Sequence, residues 1–252
     1  MTLSLEDALR VASAAADRAR DEVLPRFRNV GVETKQDGSP VTEADRAAEQ
    51  AIRATLRDAY PEHRVLGEEF GEEGGAEGLR WVVDPIDGTI AFSRGIPLFA
   101  TLITLLDDGE PVVAVLDLPA LGERYTATRG GGCRRNGAPT RVSDESDLSR
   151  AIVSHGDPFC FERYGRADVF QRMAREIPML RGYTDAFGHA LVLGGGVGAM
   201  VDPDLNLWDL AATRLLVPEA GGRCELLPEV NGKAGLVLGS DPLVEQLLAY
   251  FA

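Results

Sequence analysis

The sequence predicts a layered α/β fold, and three observations point to it. Two stretches near the N-terminus repeat apolar residues at steps of three and four. The middle of the chain is a series of short apolar runs closed by turn residues. In the second half, strand-like and helix-like segments alternate. At 252 residues and 44% hydrophobic content, the chain can bury a substantial core, as one large domain or two closely joined halves.

Leu5, Leu9, Ala12, Ala16, Ala19, Val23 and Phe27 form one apolar helix face, with Ser4 as its N-cap and Pro25 near its end. Lys35–Pro40 reads as a turn. Thr42 is an N-cap with Asp45 three residues on, and Ala44, Ala48, Ala51, Ile52, Thr55 and Leu56 continue a second helix that stops before Pro61. Val65-Leu66 and Trp81–Val83 are short strands, the first running into Gly67-Glu68-Glu69, the second into Asp84–Thr89. Leu98–Leu106 and Pro111–Leu118 flank Asp107–Glu110, a hairpin signal, and Glu123–Thr128 adds a strand before a turn at Gly130–Gly132. Arg141–Arg150 is a polar stretch and the soft boundary. Beyond it, Ile152–Ser154, Ala199–Val201 and Gly235–Leu238 are expected strands. Phe161–Arg175, Ala186–Leu193, Asp209–Ala220 (closed by Gly221-Gly222) and Asp241–Tyr250 are expected helices.

The formal charge of -14 disfavours nucleic acid and anionic membrane as partners. It also repels a phosphate ester, so an anion site here needs local positive charge, and bound metal ions would supply it. Cys133, Cys160 and Cys224 lie far apart and are odd in number, which suggests free thiols in a reducing compartment. The N-terminal segment carries charges throughout, unlike a signal peptide, and no run of about 20 apolar residues suggests a membrane span. The expectation is a soluble, cytoplasmic protein.

The strongest local feature is Trp81–Thr89, WVVDPIDGT. A buried strand ends in two carboxylates three residues apart, with a proline between them and a glycine after. Alone it could be an ordinary turn. Glu68-Glu69 alone could be a solvated acidic turn, and Asp209 alone a helix cap. Together they offer hard oxygen ligands from three separate segments, which suit magnesium or manganese rather than zinc.

GEE at 67–69, DPIDGT at 84–89 and WDLAA at 208–212, in this order, resemble the inositol monophosphatase superfamily, and the resemblance runs from VTEAD at 41–45 to EAGG at 219–222. It implies an αβαβα sandwich, one domain over 1–252 with halves of about 1–145 and 146–252 and the active site between them. It also implies two or three Mg2+ ions, with Mn2+ a possible substitute, and a homodimer. Glu68, Asp84, Thr89 and the carbonyl of Ile86 are implied as ligands of the first metal, and Asp84, Asp87 and Asp209 of the second. Glu68, Thr89 and Asp45 are implied in activating the attacking water, with Glu69 an outer or third-metal residue. Asp87, Gly88, Thr89 and Asp209 would meet the substrate.

Gly88–Phe92 reads GTIAF, with Ala91 where the inositol phosphatases usually carry asparagine. SRGIP at 93–97, ERYTATRGGGCRRNG at 123–137 and RGYTDAFGHALV at 181–192 resemble the histidinol-phosphate phosphatase branch, which acts in histidine biosynthesis. Asp185 stands where inositol monophosphatases tend to carry a small residue, and a carboxylate suits a cationic substrate; it could instead cap the following helix. Asp202 falls where the family binds the alcohol portion, and Arg181 is a candidate to orient these acids or touch phosphate. His189 could face the site or be a structural histidine. The expected activity is hydrolysis of histidinol phosphate, a small phosphate monoester. The alternatives are an inositol-1-monophosphatase, a broad sugar-phosphate phosphatase, or a non-catalytic scaffold.

Overall fold

The computed structural model describes residues 4–29, 31–34, 40–75 and 78–252. Helix α1 (Leu5–Arg26) begins where the Ser4 hydroxyl accepts the Asp7 N–H at 3.2 Å. Its buried face is built from Ala8, Ala12, Ala15, Ala16, Ala19 and Val23, with Leu5 and Leu9 partly buried at its edge. Strands β1 (Val32–Thr34) and β2 (Pro40–Thr42) pair antiparallel and lead into α2 (Glu43–Ala59). All but Pro40 of the turn expected at 35–40 lies outside the described residues. Helix α2 opens with a capping box between Thr42 and Asp45 and ends at Tyr60, because the residue before Pro61 is driven out of helical geometry.

The next strands, β3 (Arg64–Gly67), β4 (Gly71–Glu73) and β5 (Leu79–Asp87), are followed by the short helix α3 (Thr89–Ser93). Then come β6 (Ala100–Asp107), β7 (Glu110–Leu118), β8 (Glu123–Thr128), β9 (Arg134–Arg135) and β10 (Ala138–Pro139). These form one sheet in the order β10-β9-β8-β7-β6-β5-β3-β4. The β6–β7 hairpin turns at Asp108 and Gly109, both at positive φ (49° and 87°), as a type I′ turn requires.

The second half contains β11 (Val153–His155), α4 (Pro158–Arg163), α5 (Ala167–Glu176), β12 (Leu180–Arg181) and α6 (Asp185–Leu193). It continues with β13 (Ala199–Leu205), α7 (Leu207–Glu219), β14 (Arg223–Val230), β15 (Lys233–Gly239) and α8 (Asp241–Leu248). Its sheet runs β12-β11-β13-β15-β14. The polar stretch 141–150 lies between the last strand of the first sheet and the first strand of the second.

Three cores stack these elements into five layers. Ala8–Val23 of α1 and Ala44–Leu56 of α2 pack on Trp81, Val83, Ile103, Leu105, Val113 and Val115. The opposite face of that sheet, through Leu102, Ala114 and Leu116, meets Ala186 and Ala190 of α6 and Leu210 and Leu216 of α7, which also cover Met200, Leu236 and Leu238 of the second sheet. The far face of the second sheet, with Val153, Val201 and Val237, is covered by Phe161, Met173 and Leu243 of α4, α5 and α8. The order is therefore α, β, α, β, α, as the resemblance implied. Because β6 and β7 are buried on both faces, their sequences run apolar at consecutive positions, interrupted by Thr101, Thr104 and Asp117, rather than alternating.

Several expectations need correction. The helix expected over 161–175 is two helices, broken at Gly165, whose φ of +71° ends the first. Strand β14 was not expected: its sequence contains Pro228 and three charged residues, and only Leu227 is buried, which an edge strand tolerates. Strand β13 extends beyond Val201, so Asp202 lies within it. Helix α7 begins at Leu207, with Asn206 as N-cap and Asp209 as the third residue of its first turn.

Candidate active site

The site forms where the first sheet's β5 meets the middle helices. Residues three apart on a strand point to opposite faces, so Asp84 and Asp87 should diverge. They do not, because β5 is bulged between them. Asp84 pairs with Leu102 and Asp87 with Ala100, so three steps on β5 oppose two on β6. Proline suits this interruption: Pro85 has no N–H to place in the ladder, and its carbonyl accepts the Thr101 hydroxyl at 2.8 Å. Asp84 shares the parity of Val82, which packs on Ala211 of α7, so it faces the helix layer that carries Asp209. Its Oδ1 accepts the Ile86 N–H at 3.0 Å.

Asp209 is aimed by its own capping box, in which its Oδ2 accepts the Asn206 N–H at 2.7 Å and the Asn206 amide at 3.2 Å. Asp87 accepts the Ala186 N–H from the first turn of α6 at 2.6 Å. Asp84, Asp87 and Asp209 each offer an oxygen within 4.8 Å of the others, and Glu68 lines the same cleft. Glu68 is carried on the β3–β4 turn, whose backbone is held from α2: the buried Glu49 carboxylate accepts the N–H groups of Glu69 at 2.7 Å and Phe70 at 3.3 Å.

Beside this cluster, the Thr89 hydroxyl lies 2.9 Å from the Ile86 carbonyl and 3.3 Å from Asp45 Oδ1. The other Asp45 oxygen accepts both the N–H (2.8 Å) and the hydroxyl (2.5 Å) of Thr42, so Asp45 is fully buried with one oxygen turned toward Thr89. Gly88, at φ +84°, makes the turn between them, and its Cα approaches Asp185; a Cβ there would lie 3.5 Å from Asp185 Oδ2.

The electrostatics are those of a carboxylate cluster short of cations. Burial, then the charges of Glu68, Asp87 and Asp209, push Asp84 well above the ordinary carboxylate range. Burial, then Asp185 and Asp209, do the same to Asp87, against the Ala186 N–H. Asp209 is pushed up to about 7, chiefly by burial. Asp185 is pushed up to about 6 by burial and then by Asp202. Asp45 is raised by burial, with the Thr42 bonds acting the other way.

The cleft has a volume of about 190 Å³ and is lined by eight carboxylates against two permanent cations, Arg163 and Lys233. Both cations lie on Asp204, at 2.5 and 3.9 Å, which leaves the rest of the cleft strongly negative. A phosphate ester cannot enter it without further positive charge. An all-oxygen donor set fits a hard divalent ion, and ions bound among Asp84, Asp87, Asp209 and Glu68 would remove the repulsion that now favours protonation. A larger groove of about 630 Å³ between α1 and α2 is lined largely by alanines, with Asp58 its one carboxylate, and has no such chemistry.

The same cleft is also lined by Asp185, Asp202 and Asp157. Asp185 opens α6 at φ +58°, an unusual backbone state for a residue with a side chain, and Asp204 in β13 shares it at +67°. Asp202 is buried and bonded to His189 Nε2 at 3.0 Å. Of the expected residues, Asp45 and Glu69 lie outside the cleft lining, and Arg181 lies apart from it. It sits on edge strand β12, exposed, donates to the neighbouring Leu180 carbonyl at 2.8 Å, and does not line the cleft. Sequence reasoning missed Asp157, Asp204 and Glu49. Asp157-Pro158 was legible as a helix start, with aspartate at N-cap and proline at N1, but nothing local indicated that this helix end faces the site.

A family model for the inositol monophosphatase family matches residues 4–246. Among known proteins, the histidinol-phosphatase of Streptomyces coelicolor is 41% identical over 227 residues, covering 86% of this chain and 85% of that protein. The histidinol-phosphatase of Mycobacterium tuberculosis is 42% identical over 236 residues, 91% of each chain. An inositol monophosphatase structure from Zymomonas mobilis superposes with a TM-score of 0.86 at 31% identity, covering 99% of both chains. With a family match spanning almost the whole sequence, and the same carboxylates gathered in one cleft, this chain belongs to the inositol monophosphatase family.

Proposed function

We propose that this chain is a magnesium-dependent phosphatase that converts histidinol phosphate and water into histidinol and phosphate. The observation that carries the reading is one cleft that gathers two sets of carboxylates. One is the Asp84–Asp87–Asp209 cluster, suited to metal; the other is Asp185 with Asp202 and Asp157, suited to the ammonium and imidazole of the substrate. The relatives named histidinol-phosphatases support this substrate.

Two or three Mg2+ ions, or Mn2+ in their place, would neutralise the ester and lower the pKa of a water from about 16 toward about 7. The ligands are Glu68, Asp84, Asp87 and Asp209, helped by Thr89 and the Ile86 carbonyl. Asp45 Oδ1 is the acceptor toward which the Thr89 hydroxyl can pass a proton from the attacking water. Gly88 and Thr89 line the cleft beside the cluster, where the phosphate would lie, and Asp185 and Asp202 orient the amino-alcohol. Water attacks phosphorus directly, the alcohol leaves, and no cysteine, serine or histidine forms a covalent bond. We further propose one domain with the site between its halves, a homodimer, and a cytoplasmic place in histidine biosynthesis. The last is consistent with three free cysteines. Among the described residues no helix is long and apolar enough to cross a membrane.

The test is phosphate release, with and without Mg2+, from histidinol phosphate, inositol monophosphate, phosphoadenosine phosphate and fructose bisphosphate. Histidinol phosphate should give the highest kcat/KM. A higher value for inositol monophosphate would favour the second reading, to which the Zymomonas mobilis fold match lends support. No release from any ester would leave a binding scaffold.

A further inference from the structure

His189 is 1% exposed, at the junction of three elements. It projects from α6, its Nε2 lies 3.0 Å from Asp202 Oδ2 on β13, and its Nδ1 lies 2.8 Å from the Thr213 hydroxyl on α7. In a neutral imidazole one nitrogen donates and the other accepts. An ionised carboxylate can only accept, so beside an ionised Asp202 the proton sits on Nε2, and in the neutral ring the Thr213 hydroxyl is then the donor to Nδ1. Thr213 lies one turn beyond Asp209 on the same helix. The other Asp202 oxygen is confined from the opposite side: a Cβ on Gly156 would lie 2.1 Å from Asp202 Oδ1. The Asp202 carboxylate therefore lies between the His189 imidazole and the Gly156 backbone, where any side chain would displace it.

We propose that His189 is a positioning residue for substrate selectivity. It fixes the Asp202 carboxylate and, through Thr213, sets it in register with the helix that carries Asp209, so that a cationic alcohol is aligned with the phosphate end of the cleft. This deepens the proposed function and rests on its assignment of a cationic substrate. Any histidine buried this deeply needs both partners, so a difference between cationic and neutral substrates, rather than the bonds themselves, separates positioning from packing. The same packing could be supplied by leucine, whereas glutamine can offer an N–H near the Nε2 position.

The experiment compares the full-length enzyme with His189→Leu, His189→Gln, Thr213→Val and Gly156→Ala, on histidinol phosphate and on phenyl phosphate, which carries no cation. His189→Leu should raise KM for histidinol phosphate by about tenfold, the worth of one hydrogen bond to a charged group, with much smaller changes for phenyl phosphate. His189→Gln should recover much of the loss, and Thr213→Val should show a weaker form of the same split. If His189→Leu does not fold, Gly156→Ala displaces the same carboxylate from its other side and must give the same split. Equal effects on both esters, or an unchanged KM for histidinol phosphate, would overturn the positioning role. A wild-type enzyme with no preference for histidinol phosphate would overturn the substrate reading and this inference with it; a preference kept by the variants overturns the inference alone.

Discussion

Replacing Glu49 by glutamine tests how the protein holds the turn that carries Glu68. Glu49 is fully buried, and its two oxygens accept from three donors: Arg53 Nε at 2.7 Å, the Phe70 N–H at 3.3 Å and the Glu69 N–H at 2.7 Å. Gly67 packs so closely that a Cβ there would lie 2.0 Å from Glu49 Oε1, so a substituted side chain cannot move that way. Glutamine has one acceptor oxygen; its amide must turn two protons toward a donor, and the Arg53 guanidinium loses its buried counter-charge. Breaking a buried ion pair from one side costs about 3–5 kcal/mol. Arg53 keeps the Val65 and Gly71 carbonyls and the Glu73 carboxylate, which favours the lower end, about 3 kcal/mol. For a chain of this size that is a fall in Tm of about 6–12 °C. Calorimetry measures it, and phosphate release titrated with Mg2+ reports whether the Glu68 turn has loosened: the half-saturating Mg2+ concentration should rise. A Tm within about 2 °C of wild type and an unchanged Mg2+ requirement would show that the buried pair neither stabilises nor positions this turn.

Asp87→Asn should abolish turnover, because it removes one charge from the oxygen cluster and presents an amide to the Ala186 N–H; near-normal phosphate release would remove Asp87 from the metal site. Asp185→Ala should raise KM for histidinol phosphate far more than for an uncharged sugar phosphate, and equal shifts would end its part in selectivity. Stability should also depend on pH in a metal-linked way. Asp209, raised to about 7 when folded from about 4 when unfolded, contributes most below pH 4, and that contribution is lost as pH rises through 7 in metal-free protein. Metal binding displaces the proton, so the gain in Tm on adding Mg2+ should be larger at pH 8 than at pH 5.5; equal gains would refute the linkage.

Much of this is legible in the sequence. The alanine stripe of α1, the Thr42–Asp45 cap and the unbroken apolar strands are local patterns, and local patterns follow from backbone sterics and burial. So do the residues able to bind metal, because Glu68, Asp84, Asp87 and Asp209 belong to short motifs whose chemistry is in their side chains. What the tertiary structure decided is where those side chains point. The bulge that turns Asp84 and Asp87 to one face depends on how β5 registers against β6. The cleft also joins Asp157, Asp185 and Asp202 from three elements, and Arg181 drops out because its strand lies at a sheet edge. Glu49 and Thr213 looked like ordinary helix residues, and His189 stood open between a site-facing and a structural role, since a hydrogen bond across 20 or more positions leaves no mark on the periodicity of either segment. Residue identity sets which contacts are chemically possible, and only the packing of the layers selects the ones that are made.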